Sequence, residues 1–213
     1  MSDVITSRLQ ETGVVAIIRG IDTGAIHPLV QALYDGGIRL VEVTLNTEGA
    51  LEAITSVLAR FGDSMSVGAG TVLDEQAAVA AKAHGAQFFV TPNVDERVIQ
   101  VGVEANIPVM AGALTPTEIY RAYRAGAKFV KVFPAGTMGA RYIKEVRGPL
   151  ANVPLMAVGG VTLENAGEFF AAGVVALGLG GSLIDKAAVE RGDFDAIRET
   201  ARSFVELYRT HSV

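Results

Sequence analysis

Lys131 stands between Val130 and Val132, with Phe129 and Phe133 just beyond, in the run "KFVKVFPAG". Such neighbours favour a buried strand, and a buried ammonium without a partner is costly enough that it usually gives up its proton. A lysine so placed either reaches out to water or works as a neutral amine, the form that attacks a carbonyl carbon. Two more polar residues sit in comparable apolar runs: Glu42 in "LVEVTLN" and Arg19 at the end of "VVAIIRG". A positioned carboxyl can move protons for an amine. A planar guanidinium can hold a carboxylate through two parallel hydrogen bonds.

Residues with these abilities need elements that bring them together. Short apolar runs recur at 14–18, 40–45, 66–70, 87–91, 107–111, 128–133, 154–158 and 174–179. Each is too short for a helix, rich in β-branched or aromatic residues, and bounded by Gly, Pro, Asn or Thr, which reads as a strand. Amphipathic stretches lie between them, and Thr47, Asp74, Asp95, Thr115 and Thr162 precede helical patterns as capping residues. Eight strands alternating with eight helices imply parallel strands joined by right-handed crossovers. The count predicts an α/β fold of the (β/α)8 TIM barrel type, one domain over residues 1–213. An open doubly wound sheet is the rival, and it typically has fewer strands.

Side-chain parity then aims the polar residues. In "LVEVTLN", Val41, Val43 and Leu45 form the set that belongs under the helices, which turns Glu42 to the barrel axis. In "KFVKVFP" the same argument turns Lys131 inward. Arg19 ends its strand at the carboxyl-terminal mouth, where barrel enzymes build their sites. Lys128, at the start of the same strand, can reach water at the opposite end. A purely structural ion pair of Glu42 with Lys131 or Arg19 is the competing explanation.

Two late segments, "VGGVTLEN" and "GLGGSLID", end strands with glycines. Barrels often bind phosphate in the loops after the seventh and eighth strands, where backbone N–H groups face the anion. Gly159, Gly160, Gly180, Gly181 and Ser182 are the candidates, against the plain alternative of tight turns. Gly68 and Gly70 bring backbone close to the site and place Thr71 there.

The 213 residues fit one domain with a full core. The net charge of -5 gives no footprint for nucleic acid, and no basic cluster suggests a membrane surface. Cysteine is absent, which removes disulfides and thiolate nucleophiles. The three histidines are scattered, so no metal is expected, and Ser182 has no evident His–Asp partners. The amino terminus lacks a signal pattern and the apolar runs are too short to span a bilayer, so a cytoplasmic protein is the expectation.

In order along the chain, "VVAIIRG", "VEVTLNT", "VGAGTVL", "FFVTPN", "VFPAG", "AVGGVT" and "GLGGSL" resemble the class I 2-keto-3-deoxy-6-phosphogluconate and 2-keto-4-hydroxyglutarate aldolases, including the 6-phosphogalactonate branch. The resemblance implies a homotrimeric barrel, with no cofactor, that cleaves a 2-keto-3-deoxy-6-phospho sugar acid to pyruvate and glyceraldehyde 3-phosphate. It implies Lys131 as the Schiff-base lysine and Glu42 as the proton-transfer carboxylate. It implies Arg19, Thr71, Gly159, Gly160, Gly180, Gly181 and Ser182 as ligand contacts. Arg19, "TLN", "VTPN" and "AVGG" look like the galactonate branch; "FPA" and "GGS" look like the gluconate branch. Two rival functions share the residues: a phosphate-barrel isomerase or decarboxylase using Lys131 only as a charge, and a trimeric sugar-phosphate sensor without turnover.

Overall fold

The computed structural model describes residues 2–211. The eight apolar runs become strands β1 (Val14–Ile18), β2 (Leu40–Thr44), β3 (Ser66–Gly70), β4 (Phe89–Val90), β5 (Val109–Ala113), β6 (Phe129–Val132), β7 (Leu155–Val158) and β8 (Ala176–Leu179). Each runs parallel to the next, and β8 pairs back onto β1, so the sheet closes and leaves no edge. The register sets Ile17 beside Glu42, Glu42 beside Gly68, and Gly112 beside Lys131. Strands β1 and β3 match their runs, β5 keeps its length but lies two residues later, and the other five are shorter, β4 most of all. The closed parallel barrel and its single-domain architecture agree with the sequence reading.

The described residues form ten helices rather than eight: α1 (Ser2–Thr12), α2 (Thr23–Asp35), α3 (Ala50–Phe61), α4 (Glu75–Ala83), α5 (Glu96–Ala105), α6 (Pro116–Arg124), α7 (Ala135–Arg147), α8 (Leu163–Ala171), α9 (Lys186–Glu190) and α10 (Phe194–His211). The two additions are α1, which precedes the barrel, and the five-residue α9 that interrupts the connection after β8. Asp74 accepts from the Ala77 N–H, Asp95 from Arg97 and Val98, and Thr115 from Glu118, as capping residues should. Thr47 does not cap. Helix α3 starts instead after Gly49, whose φ of 69° is left-handed and has no side-chain oxygen to offer.

Two apolar layers result. One lies between strands and helices and takes Val41, Val43, Val130 and Val132. The other fills the barrel axis with Val15, Leu40, Phe88, Val90, Met110, Phe129, Met156 and Ala176. Helix α1 joins the axial layer by inserting Ile5 and Leu9, spaced one turn apart and each 1% exposed, at the amino-terminal end. Burial of each such side chain contributes about 1.5–3 kcal/mol. That end is thereby plugged, and any chemistry is confined to the other.

Candidate active site

Glu42 on β2 and Lys131 on β6 lie on opposite sides of the eight-strand barrel, both facing the axis. They are 2% and 5% exposed. Burial pushes the Lys131 ammonium below the ordinary lysine value; Glu42 pulls it back up, and Arg19 adds to the lowering. Burial pushes the Glu42 carboxyl above the ordinary carboxylate value, with Lys131 and then Arg19 opposing. The two groups feel one another, yet among the described residues neither takes part in an ion pair at 4.0 Å or less. Glu42 Oε2 is buried without a hydrogen-bond partner. Lys131 Nζ instead lies 5.0 Å from the centre of the Phe133 ring. A structural ion pair would have closed this gap.

The neighbouring strands leave room for both groups. A side chain at Gly70 would come within 2.7 Å of the Glu42 carboxyl carbon, so the glycine on β3 lets the carboxyl lie flat against the wall. Beside Lys131, the Gly112 N–H donates to Thr91 Oγ1 at 3.0 Å, and that hydroxyl donates to the Asn93 carbonyl at 2.6 Å. The loop after β4 is thereby fastened over β5. Thr47 does similar work elsewhere. Its hydroxyl accepts from the Gly20 N–H at 2.9 Å and lies 3.1 Å from Thr44 Oγ1, tying the loop that carries Arg19 to the end of β2.

A cavity of about 660 Å³ opens above Lys131 at the carboxyl ends of the strands. Arg19, Lys131, Gly159, Gly160, Gly180, Gly181 and Ser182 all line it. Glu42 does not line it, although Ile17, its register partner on β1, does. Thr71 does not line the cavity; it is half-buried just past β3 with a φ of 56°. Residues that the sequence reading did not place in the site also reach it, among them Ile17, Thr162, Asp185 and Lys186. A larger cavity, about 970 Å³, lies at the plugged end beside Lys128. No carboxylate lines it among the described residues, and neither Lys131 nor Glu42 reaches it.

The glycine loops are not alike. Gly159 and Gly160 have φ of 86° and 72°, and Gly136 N–H donates to the Gly159 carbonyl at 2.7 Å, so a tight turn against the loop after β6 itself requires glycine there. Gly181 has no left-handed φ, and a side chain on it would meet nothing within 4 Å. The chain has no need of its own for glycine at Gly181. The space it leaves faces the cavity. Among the described residues, no acceptor takes the N–H of Gly160, Gly181 or Ser182.

A buried amine whose pKa burial lowers, at the mouth of a (β/α)8 barrel, is the arrangement of barrel enzymes that work on carbonyl compounds. The comparisons with known proteins narrow that class. The KDPG and KHG aldolase family matches residues 5–200. The 2-dehydro-3-deoxy-6-phosphogalactonate aldolase of Escherichia coli K12 is 36% identical over 92% of this chain and 94% of its own. The 2-dehydro-3-deoxy-phosphogluconate aldolase of Pseudomonas aeruginosa is 33% identical over 87% of this chain and 84% of its own. The crystal structure of KDPG aldolase from Legionella pneumophila, with pyruvate captured as a covalent carbinolamine, superposes with a TM-score of 0.88 at 26% identity, covering 94% of this chain and 97% of that one. The chain belongs to the KDPG and KHG aldolase family. It is a Schiff-base aldolase, a carbon–carbon lyase.

Proposed function

We propose that the chain cleaves a 2-keto-3-deoxy-6-phospho sugar acid, of gluconate or galactonate configuration, to pyruvate and glyceraldehyde 3-phosphate through an imine on Lys131. The observation that carries the reading is the buried Lys131, lowered in pKa and unpaired, on the wall of the carboxyl-end cavity. Its neutral amine adds to the C2 ketone; Glu42, as the carboxylic acid, gives its proton to the departing carbinolamine hydroxyl, so that water leaves a protonated imine and Glu42 becomes the carboxylate. Glu42 takes the C4 hydroxyl proton. The C3–C4 pair then flows towards the iminium nitrogen, releasing the aldehyde and leaving an enamine. Glu42, now a carboxylic acid, returns the proton to C3, and water hydrolyses the imine to pyruvate and free lysine.

Glu42 suits both halves of that cycle because burial favours its acid form while Lys131 and then Arg19 favour the carboxylate. Arg19 binds the substrate carboxylate as a planar fork. The unused N–H groups of Gly160, Gly181 and Ser182, with the Ser182 hydroxyl, hold the phosphate, which fixes the scissile bond over the amine. Gly159 and Gly180 shape the two loops. Thr71, off the cavity wall, contributes no contact in this reading. Family membership favours the aldolase over an isomerase, a decarboxylase or a sensor.

A homotrimer in the cytoplasm belongs to the same reading. Leu73, Val79 and Val103 are 53%, 52% and 51% exposed, apolar surface that assembly would cover. Among the described residues no helix is long and apolar enough to cross a membrane. The substrate assignment is tested by following pyruvate release from both C4 epimers of the 6-phosphorylated acid, with and without a metal chelator. Pyruvate should form from at least one epimer at a rate the chelator leaves unchanged. No pyruvate from either epimer would overturn the substrate class.

A further inference from the structure

We infer that Lys186 is a specificity-determining residue whose ammonium binds the substrate phosphate; this rests on the phosphate reading given above. Three observations meet on it. Lys186 lines the cavity together with Gly180, Gly181 and Ser182. Its stem crosses from the loop after β8 to the loop after β1: a side chain on Gly20 would stand 2.9 Å from Lys186 Nζ. Gly20 has a φ of 60°, so the backbone there leaves open the space that the ammonium uses.

The third observation is that the chain gives this charge no partner of its own. Among the described residues no carboxylate lies within 4.0 Å of it. The adjacent Asp185 is occupied as the N-cap of α9, accepting from the Ala187 N–H at 2.9 Å. Lys186 itself is exposed, at the first residue of the five-residue α9. An ammonium that meets a phosphate dianion beside open glycine N–H groups gains a charge-assisted contact. The cavity then has a division of labour. Arg19 serves the carboxylate end of the substrate, Lys131 the ketone, and Lys186 the phosphate end, and the flexible stem of Lys186 lets it follow the phosphate as C6 moves off with the aldehyde.

The test compares kcat/KM for the 6-phosphorylated acid and for its unphosphorylated form in the wild type, Lys186→Gln and Lys186→Arg. The ratio of the two values should fall roughly 10- to 150-fold in Lys186→Gln, as expected for one lost charge-assisted contact. Lys186→Arg should recover most of it, since the cation returns. A wild type that strongly prefers the phosphorylated acid, with the ratio unchanged in Lys186→Gln, overturns the role of Lys186 and leaves the phosphate reading standing. A wild type with no preference overturns both.

Discussion

The same eight strands build two different ends, and the change takes two residues. At the amino-terminal end the inward row is Val15, Leu40, Phe88, Met110, Phe129 and Met156, sealed by Ile5 and Leu9 from α1. Two residues further along, Leu40 gives way to Glu42, Met110 to Gly112 and Phe129 to Lys131, with Gly68 and Gly70 beside Glu42 on β3. Large apolar groups in the lower layer provide stability; in the upper layer glycines leave space around an amine and a carboxyl without an ion-pair partner, the two groups to which we assign the reactivity. The lower layer fixes the strands against which an uncompensated amine and carboxyl can be held. Stability and chemistry are separated along one axis, within single strands.

That separation can be broken from either end. The largest effect is expected at the reactive end, where Lys131→Met should abolish cleavage while the protein still folds. Because burial lowers the Lys131 pKa, the unfolded chain binds more protons between the folded value and the ordinary 10.5. Wild-type stability should therefore rise with pH across that window, and the Met variant should lack the rise in denaturant titrations.

Glu42→Gln should lower kcat by roughly 10²–10⁴ and suppress exchange of pyruvate methyl protons with deuterated water. The pH sign reverses here. A raised Glu42 pKa means the folded chain holds more protons from 4.5 up to the folded value, so wild-type stability falls with rising pH over that range. The Gln variant should not show the fall; near-normal exchange with a large loss of stability would make Glu42 a core ion-pair partner.

At the plugged end the pattern should invert. Leu9→Ala should cost about 2–5 kcal/mol in unfolding experiments and leave kcat per folded molecule unchanged. A large loss of kcat there would show that the two layers are coupled.

The smallest effects sharpen the comparison within the loops. Gly160→Ala should lose roughly 1–2 kcal/mol through left-handed strain, whereas Gly181→Ala should leave unfolding unchanged and raise KM for the phosphorylated substrate. Equal stability losses would make both loops simple turns.

The upper layer was legible in the sequence because period-two alternation leaves no choice once Val41, Val43, Val130 and Val132 are given to the helices. Glu42 and Lys131 must then face the axis. The barrel followed from the count of alternating runs. Helix α1 was not legible as a plug, since Ile5 and Leu9 are only two apolar contacts and nothing local says what they meet. Thr47 reads as a cap because capping residues and loop hydroxyls share one chemistry; only the left-handed Gly49 moves the helix start. Lys186 was also hidden. "GLGGSLID" stops one residue short of Lys186, and the five-residue α9 that begins there was not expected from the sequence. Thr71 shows the converse, a residue beside a glycine pair whose orientation sequence spacing alone did not fix.

The central claim is that Lys131 is a nucleophile held unpaired by the barrel. Incubation with pyruvate, reduction with borohydride and peptide mapping test it most directly, because only an imine is fixed as a stable pyruvyl-lysine. The account predicts a single modified lysine, Lys131, with Lys128, Lys144 and Lys186 untouched. Reduction that labels any other lysine while Lys131 stays free, or that labels none, would contradict it.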